Sequence, residues 1–253
     1  MIKRRIIIRG AVCALGIVAL AAAAPARAQE PTHYTYVSFW AVPRAQWTAF
    51  EKSQAETDSI LEGLVADGTL VCWGSAVALV HTEDGYTHSD WFVSDTQAGI
   101  VKTLDALRNV GRSQSLVNTT KHRDVMLHSI AHGGKTARTT SGYIRVAFWE
   151  AKPGRGDNVE EIFKKYIQPD LDAGVADGSV LMYNFDTEQV HTDAPGGYNL
   201  AVVYGGGDGL DKGAATLAAR SKENPAAAEA FGAMIDNEAH RDTLSKVLAF
   251  QHK

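Results

Sequence analysis

Cysteine is nearly absent from this chain. Of the two cysteines in 253 residues, Cys13 lies in an N-terminal stretch that reads as an export leader. Cys72 is then alone, which excludes an intrachain disulfide and any cysteine-based zinc site. Long apolar runs are equally scarce. The single one, Ala11 to Ala24, is too short to span a bilayer comfortably. With Lys3, Arg4, Arg5 and Arg9 before it and Ala26-Arg27-Ala28 after it, it has the layout of a cleaved signal peptide. The expectation is that residues 1–28 are removed and that the product is periplasmic or secreted. A Sec-type signal is preferred over a twin-arginine one, although Arg4-Arg5 loosely resembles the latter.

Positive charge is short as well. Residues 1–28 hold five cations and no acid, leaving 20 basic against 29 acidic side chains, a balance of −9. Nucleic acid and, after signal cleavage, anionic membrane surfaces are therefore poor partners, since both demand a basic footprint. Metal-ligand spacing is missing too. Nine histidines are present, but no His-x-x-x-His falls on a helix; His88 with Asp90, and His128 with His132, share strand faces without making a chelating set. No metal is predicted.

What the chain does contain, it contains twice. Val65-Ala66-Asp67-Gly68-Thr69-Leu70, running on to Val80-His81-Thr82-Glu83, is answered by Val175-Ala176-Asp177-Gly178-Ser179-Val180, running on to Val190-His191-Thr192-Asp193. Each residue stands 110 positions after its counterpart. Val37-Ser38-Phe39-Trp40 is answered by Val146-Ala147-Phe148-Trp149, and His122-Arg123-Asp124 by His240-Arg241-Asp242. Domains are accordingly expected at 29–134 and 135–253, joined by the polar Ala131–Thr140 segment.

Period-2 alternation predicts strands over Tyr34–Val42, Thr69–Val77, Thr87–Val93 and Val125–Ala131. In the second half it predicts them over Tyr143–Trp149, Ser179–Phe185, Asn199–Tyr204 and Thr243–Phe250. Trp47, Phe50, Leu61 and Leu64, then Ile100, Leu104 and Leu107, mark amphipathic helices. Val159, Ile162, Phe163, Tyr166 and Ile167 mark another, with Asp157 and Glu160 as a capping box and Pro169 as its stop. A further helical region is broken at Pro225. Each half thus reads βαββαβ: a four-stranded antiparallel sheet with helices on one face and an apolar face left over, which two copies bury by packing sheet on sheet.

This order, the helix-ending Val-Ala-Asp-Gly-[Thr/Ser] and the duplication resemble the dimeric α/β-barrel superfamily of ferredoxin-like proteins. The resemblance covers nearly all of residues 33–252. It implies an α+β fold in which two tandem ferredoxin-like repeats form one intramolecular, pseudo-dimeric barrel. The superfamily includes cofactor-independent monooxygenases, haem-binding enzymes, lyases and proteins of no known chemistry. In its haem-binding members the ligand is a histidine on a helix. Here neither second helix carries one before its final turn, at His122 and His240, so haem is not predicted either.

Placing Val37, Phe39 and Ala41 with Ile144, Val146 and Phe148 against helices turns Tyr36, Trp40, Arg145 and Trp149 inward. Phasing the last strands in the same way brings in His128 and Lys246. The expectation is a cavity between the sheets lined by Tyr36, Trp40, Arg145, Trp149 and Lys246, binding an aromatic or anionic small molecule, with His128 as the acid or base of a cofactor-independent reaction. The alternative is a non-catalytic structural or protein-interaction module with a filled barrel core, in which Arg145 and Lys246 pair with acids such as Asp90 or Asp186. His81 and His191 read as turn residues and the two His-Arg-Asp triplets as repeated polar corners. Gly205-Gly206-Gly207 lacks the lysine and hydroxyl of a phosphate loop, and Cys72 reads as a small buried side chain.

Overall fold

The computed structural model describes residues 32–80, 84–108, 110, 119–190 and 197–253. The expected leader lies outside them, as do His81 and His191. Among the described residues there are nine strands: β1 Tyr34–Ala41, β2 Cys72–Ala78, β3 His88–Ser94, β4 Lys121–Gly134, β5 Ala137–Thr139, β6 Tyr143–Ala151, β7 Val180–Glu188, β8 Gly197–Tyr204 and β9 Ile235–His252. The helices are α1 Trp47–Ala55, α2 Asp58–Ala66, α3 Gln97–Arg108, α4 Gly156–Ile162, α5 Gln168–Asp177, α6 Gly207–Glu223 and α7 Pro225–Met234.

Eight strands close into an antiparallel barrel in the order β2-β3-β1-β4-β7-β8-β6-β9, with β9 returning to β2. The short β5 lies on the far end of β9. Two seams join the halves, β4 against β7 and β2 against β9. The protein is therefore an α+β barrel with its helices outside.

The barrel interior is solid. Cys72, Ala76, Trp91, Val93, Ile144, Met182, Val203, Val247 and Phe250 form its core, with Val37 and Val146 packed against it. Gly74 is what lets Trp91 in: a β-carbon there would stand 2.3 Å from the indole ring. Outside, Trp73, Phe92 and Tyr36 pack under α2 and α3 with Leu61, Leu64 and Ile100. Phe185, Tyr198 and Trp149 pack under the second-half helices with Val159, Phe163 and Phe231.

The facing is thus the reverse of the expectation. Val37 and Val146 look into the barrel, and Tyr36, Trp40 and Trp149 look at helices. Strand alternation separates two faces but does not label them when both are buried. Three local expectations change as well. Pro169 does not stop a helix: a π-helical turn, Phe163–Ile167, leads into α5, and Pro169 sits in the first turn of α5, where its missing N–H costs nothing. Asp157 does not cap α4, whose N-cap position is Arg155 with no side-chain bond. The segment expected as a linker is mostly strand, since β4 runs to Gly134 and β5 follows.

Candidate functional site

Strand register places a polar row in the middle of the layer between the first-half sheet and α1. Ser75 stands opposite Asp90, Asp90 opposite Ser38 and Ser38 opposite Asp124. On one side of this row lie Trp73, Phe92, Tyr36 and Met126, which are apolar core. On the other lie His88, Trp40 and His122, again opposite one another. α1 covers this end with Trp47 and Phe50, which pack with Trp40 and Val42.

The polar groups are joined into short chains. The Trp40 indole N–H donates to Asp90 Oδ2 at 2.9 Å. The Ser38 hydroxyl donates to Asp124 Oδ1 at 2.7 Å, and His122 Nε2 meets the same oxygen at 2.9 Å. The His88 side chain is 1% exposed, with Nδ1 at 3.0 Å from the Thr87 hydroxyl and Nε2 at 3.5 Å from Glu51 on α1. Edge-on Trp47 and tilted Phe50 flank its ring, at 5.1 and 4.8 Å between centroids. The Trp40 ring stacks on His122 at 3.8 Å.

Burial governs the charges. It pushes the Asp90 carboxyl up to about 7, against the hydrogen bonds from Trp40 and Gln54 and with help from the nearby charge of Asp58. Asp58, at the start of α2, is itself raised to about 6 by burial and by Glu62, with Arg138 opposing. His88 is held below its ordinary value by burial despite Glu51. Ser38, Asp90 and Asp124 nonetheless keep partial exposure. A carboxyl poised near neutrality in such a place is suited to exchanging a proton with a bound molecule.

Among the described residues the second half keeps only the last member of this row, Asp242, opposite Ala147. The residues 110 positions on from Ser75 and Asp90 are Phe185 and Leu200, and Ala147 stands opposite Leu200. Phe163, Phe185 and Tyr198 stack there instead, with centroids 3.8 and 5.3 Å apart. Trp149 stacks on His240 and meets Phe231 edge-on, but Asp242 is engaged by Arg145.

Of the residues expected to gather in one cavity, Trp40 alone joins this site. Tyr36 is a neighbour on its sheet face and stacks on Phe92. Trp149 and Arg145 belong to the second half, and Arg145 is part exposed and paired with Asp242 rather than Asp90 or Asp186. Lys246 is exposed. His128 lies opposite Tyr34 on the outer face, its Nδ1 buried without a partner. They cannot share a pocket, because they lie outside a filled barrel. The sequence alone does not bring Asp90, Glu51 and Asp58 together; the two-residue spacing that puts His88 and Asp90 on one strand face is the available signal.

A helix-borne histidine, the haem ligand that the resemblance implies, is missing among the described residues. None of α1–α7 carries a histidine to ligate iron. In the second half Phe163 and Phe185, both fully buried, fill the layer between sheet and helices. Among the described residues, no three His, Cys, Asp or Glu side chains are placed to hold a metal ion.

No protein-family model matches the chain, and no curated protein matches it. Solved structures do. A candidate monooxygenase from Lactobacillus acidophilus superposes with a TM-score of 0.67 at 13% identity, covering 87% of this chain and 96% of that one. A candidate monooxygenase from Fusobacterium nucleatum superposes at 0.66 with 11% identity, covering 88% and 94%. A haem-binding protein from Thermus thermophilus superposes at 0.53 with 11% identity, covering 85% and 92%. At these identities what is shared is the fold, that of the dimeric α/β barrels.

Proposed function

We propose that this protein binds a small aromatic molecule between its first-half sheet and α1, and that Asp90 exchanges a proton with the bound molecule. The observation that carries this reading is the near-neutral Asp90 carboxyl bonded to Trp40 in a half-buried polar row, where the second half has Leu200 in place of Asp90 and Phe185 in place of Ser75. Trp40, Trp47 and Phe50 supply the aromatic walls. The likeness in fold to monooxygenase candidates and to a haem-binding protein supports small-molecule work in general. We further propose that the barrel is a tandem pair of βαββαβ copies, residues 29–134 and 135–253. In its support, Cys72 and Met182, 110 residues apart, touch sulfur to sulfur at 3.3 Å in the barrel core, as equivalent residues beside a pseudo-twofold axis do. Export with loss of residues 1–28 remains part of the proposal.

A filled barrel favours a second reading, a non-catalytic module without a ligand. Oxygen uptake and tryptophan fluorescence with a panel of neutral aromatics, anthrone among them, separate the two. The first reading expects a response that Asp90→Asn removes; a flat response across the panel in the native protein leaves the second.

A further inference from the structure

The second half of the chain carries an open groove that lies apart from the Asp90 site. It runs between one face of α4 with its π-helical continuation and one face of α7. Its volume is about 310 Å³, at the lower end of small-molecule sites. Ile162, Tyr166, Ala227, Ala230 and Met234 line it, all of them half-buried. The alanines of α7 make the gap, because they offer only methyl groups to the bulkier face of α4, where longer side chains would close it. In keeping with this, α7 buries none of its ten residues completely.

Two opposite charges stand at the lip of this groove, Glu161 and Lys165. They are four residues apart, in the order and at the spacing at which a regular α-helix pairs a carboxylate with an ammonium. Here they do not pair: among the described residues neither forms an ion pair. Lys165 instead lies over the ring of Tyr166, at 5.0 Å, within the π-helical turn Phe163–Ile167. Such departures from α geometry are frequent at functional sites. A carboxylate alone would leave Glu161 as an uncompensated like charge beside it, and an amine alone would do the same with Lys165. A molecule that bears both charges satisfies both residues. We infer that the groove binds a free α-amino acid with an apolar side chain, its ammonium at Glu161, its carboxylate at Lys165 and its side chain on Ala227, Ala230 and Met234. Asn224 adds to the carboxylate end: its side-chain oxygen accepts from the Ala227 N–H at 3.3 Å, which leaves its amide N–H groups to donate. This site uses no residue of the Asp90 site and does not depend on it.

The intact protein, carrying ¹³C in its methionine methyl groups, reports both place and affinity. Met234 lines the groove, Met182 lies in the barrel core and Met126 packs under the first-half helices. L-Phenylalanine, 2-phenylethylamine and 3-phenylpropanoate share one body and differ in charge. L-Phenylalanine is expected to shift Met234 and to leave Met182 and Met126 in place. The two singly charged probes should bind at least about threefold more weakly, the worth of one partly exposed ion pair. Lys165→Met should lower the affinity for L-phenylalanine to that for the amine, and Glu161→Gln to that for the acid. Ala230→Leu should fill the groove and abolish the shift while the melting temperature stays native. Equal binding of the three probes overturns the inference. So does a shift at Met126 alone, a Met234 shift that survives Ala230→Leu, or a Met234 signal unmoved up to the solubility limit of L-phenylalanine.

Discussion

The indole of Trp40 lies flat on the imidazole of His122, with centroids 3.8 Å apart and planes at 18°. In the second half Trp149 lies on His240 at 5.5 Å and 5°. The same pair is built twice, but among the described residues only in the first half does the indole N–H reach a carboxylate, Asp90. Trp40→Phe keeps the ring and deletes that donor. The Asp90 carboxyl is then expected to titrate above its native value of about 7, because the lost bond favoured the charged form. The carboxyl carbon resonance followed against pH measures this. An unchanged midpoint would remove Trp40 from the account of Asp90.

Asp186 is a second buried acid, in the barrel interior. It is 2% exposed, accepts from the Ser129 hydroxyl at 2.6 Å, and is raised from 3.8 to about 7 chiefly by burial. The folded state therefore holds a proton that the unfolded state releases, so stability falls as pH rises through that window. Asp186→Asn keeps an acceptor for Ser129 and cannot ionise. It should be more stable than the native protein at pH 8, by about 2–4 kcal/mol, with the difference shrinking toward pH 4. Urea midpoints at the two pH values decide it.

His33 works in the opposite sense. It stacks on His132 at 3.5 Å and meets Asp95 at 3.0 Å. Burial first, then His132, lower it from 6.5 to about 4, with His252 and Lys253 adding to the effect and Asp95 opposing it. The unfolded chain takes up a proton here before the folded one does, so stability is lost as pH falls from 6.5 toward 4. His33→Gln should flatten that acid limb in a series of melting temperatures. A limb as steep as the native one would show that the loss arises elsewhere.

Gly74→Ala places a methyl group 2.3 Å from the Trp91 ring, in a core with no slack. A cost of about 1–3 kcal/mol is expected for such overpacking, read as a lower urea midpoint with an unchanged slope. A variant of native stability would mean that Trp91 can move aside.

Element order was legible from residues such as Asp67-Gly68 and Asp177-Gly178, whose glycines adopt φ +81° and +86° at helix ends. The strand alternation was legible too. Its labelling was not, since Val37 and Tyr36 are both partly buried, one by the opposite sheet and the other by helices. A glycine at 74 paired with a tryptophan at 91 was the better clue, because an indole needs a bare neighbour only where space is shortest. The site was half legible. Trp40 and the shared face of His88 and Asp90 could be read from strand geometry, whereas Glu51 and Asp58 arrive from α1 and α2, and nothing in a one-dimensional pattern says which carboxylates a helix brings over a sheet.

Both seams of the barrel, β4 to β7 and β2 to β9, are made within one polypeptide. An assembly of two identical chains must write each side chain at two places, so a buried acid useful in one would burden its twin as well. Covalent union lifts that obligation: the ring closes without a second chain, and the Phe185 and Leu200 side packs rings and aliphatic groups where the Ser75 and Asp90 side keeps a hydroxyl and an acid.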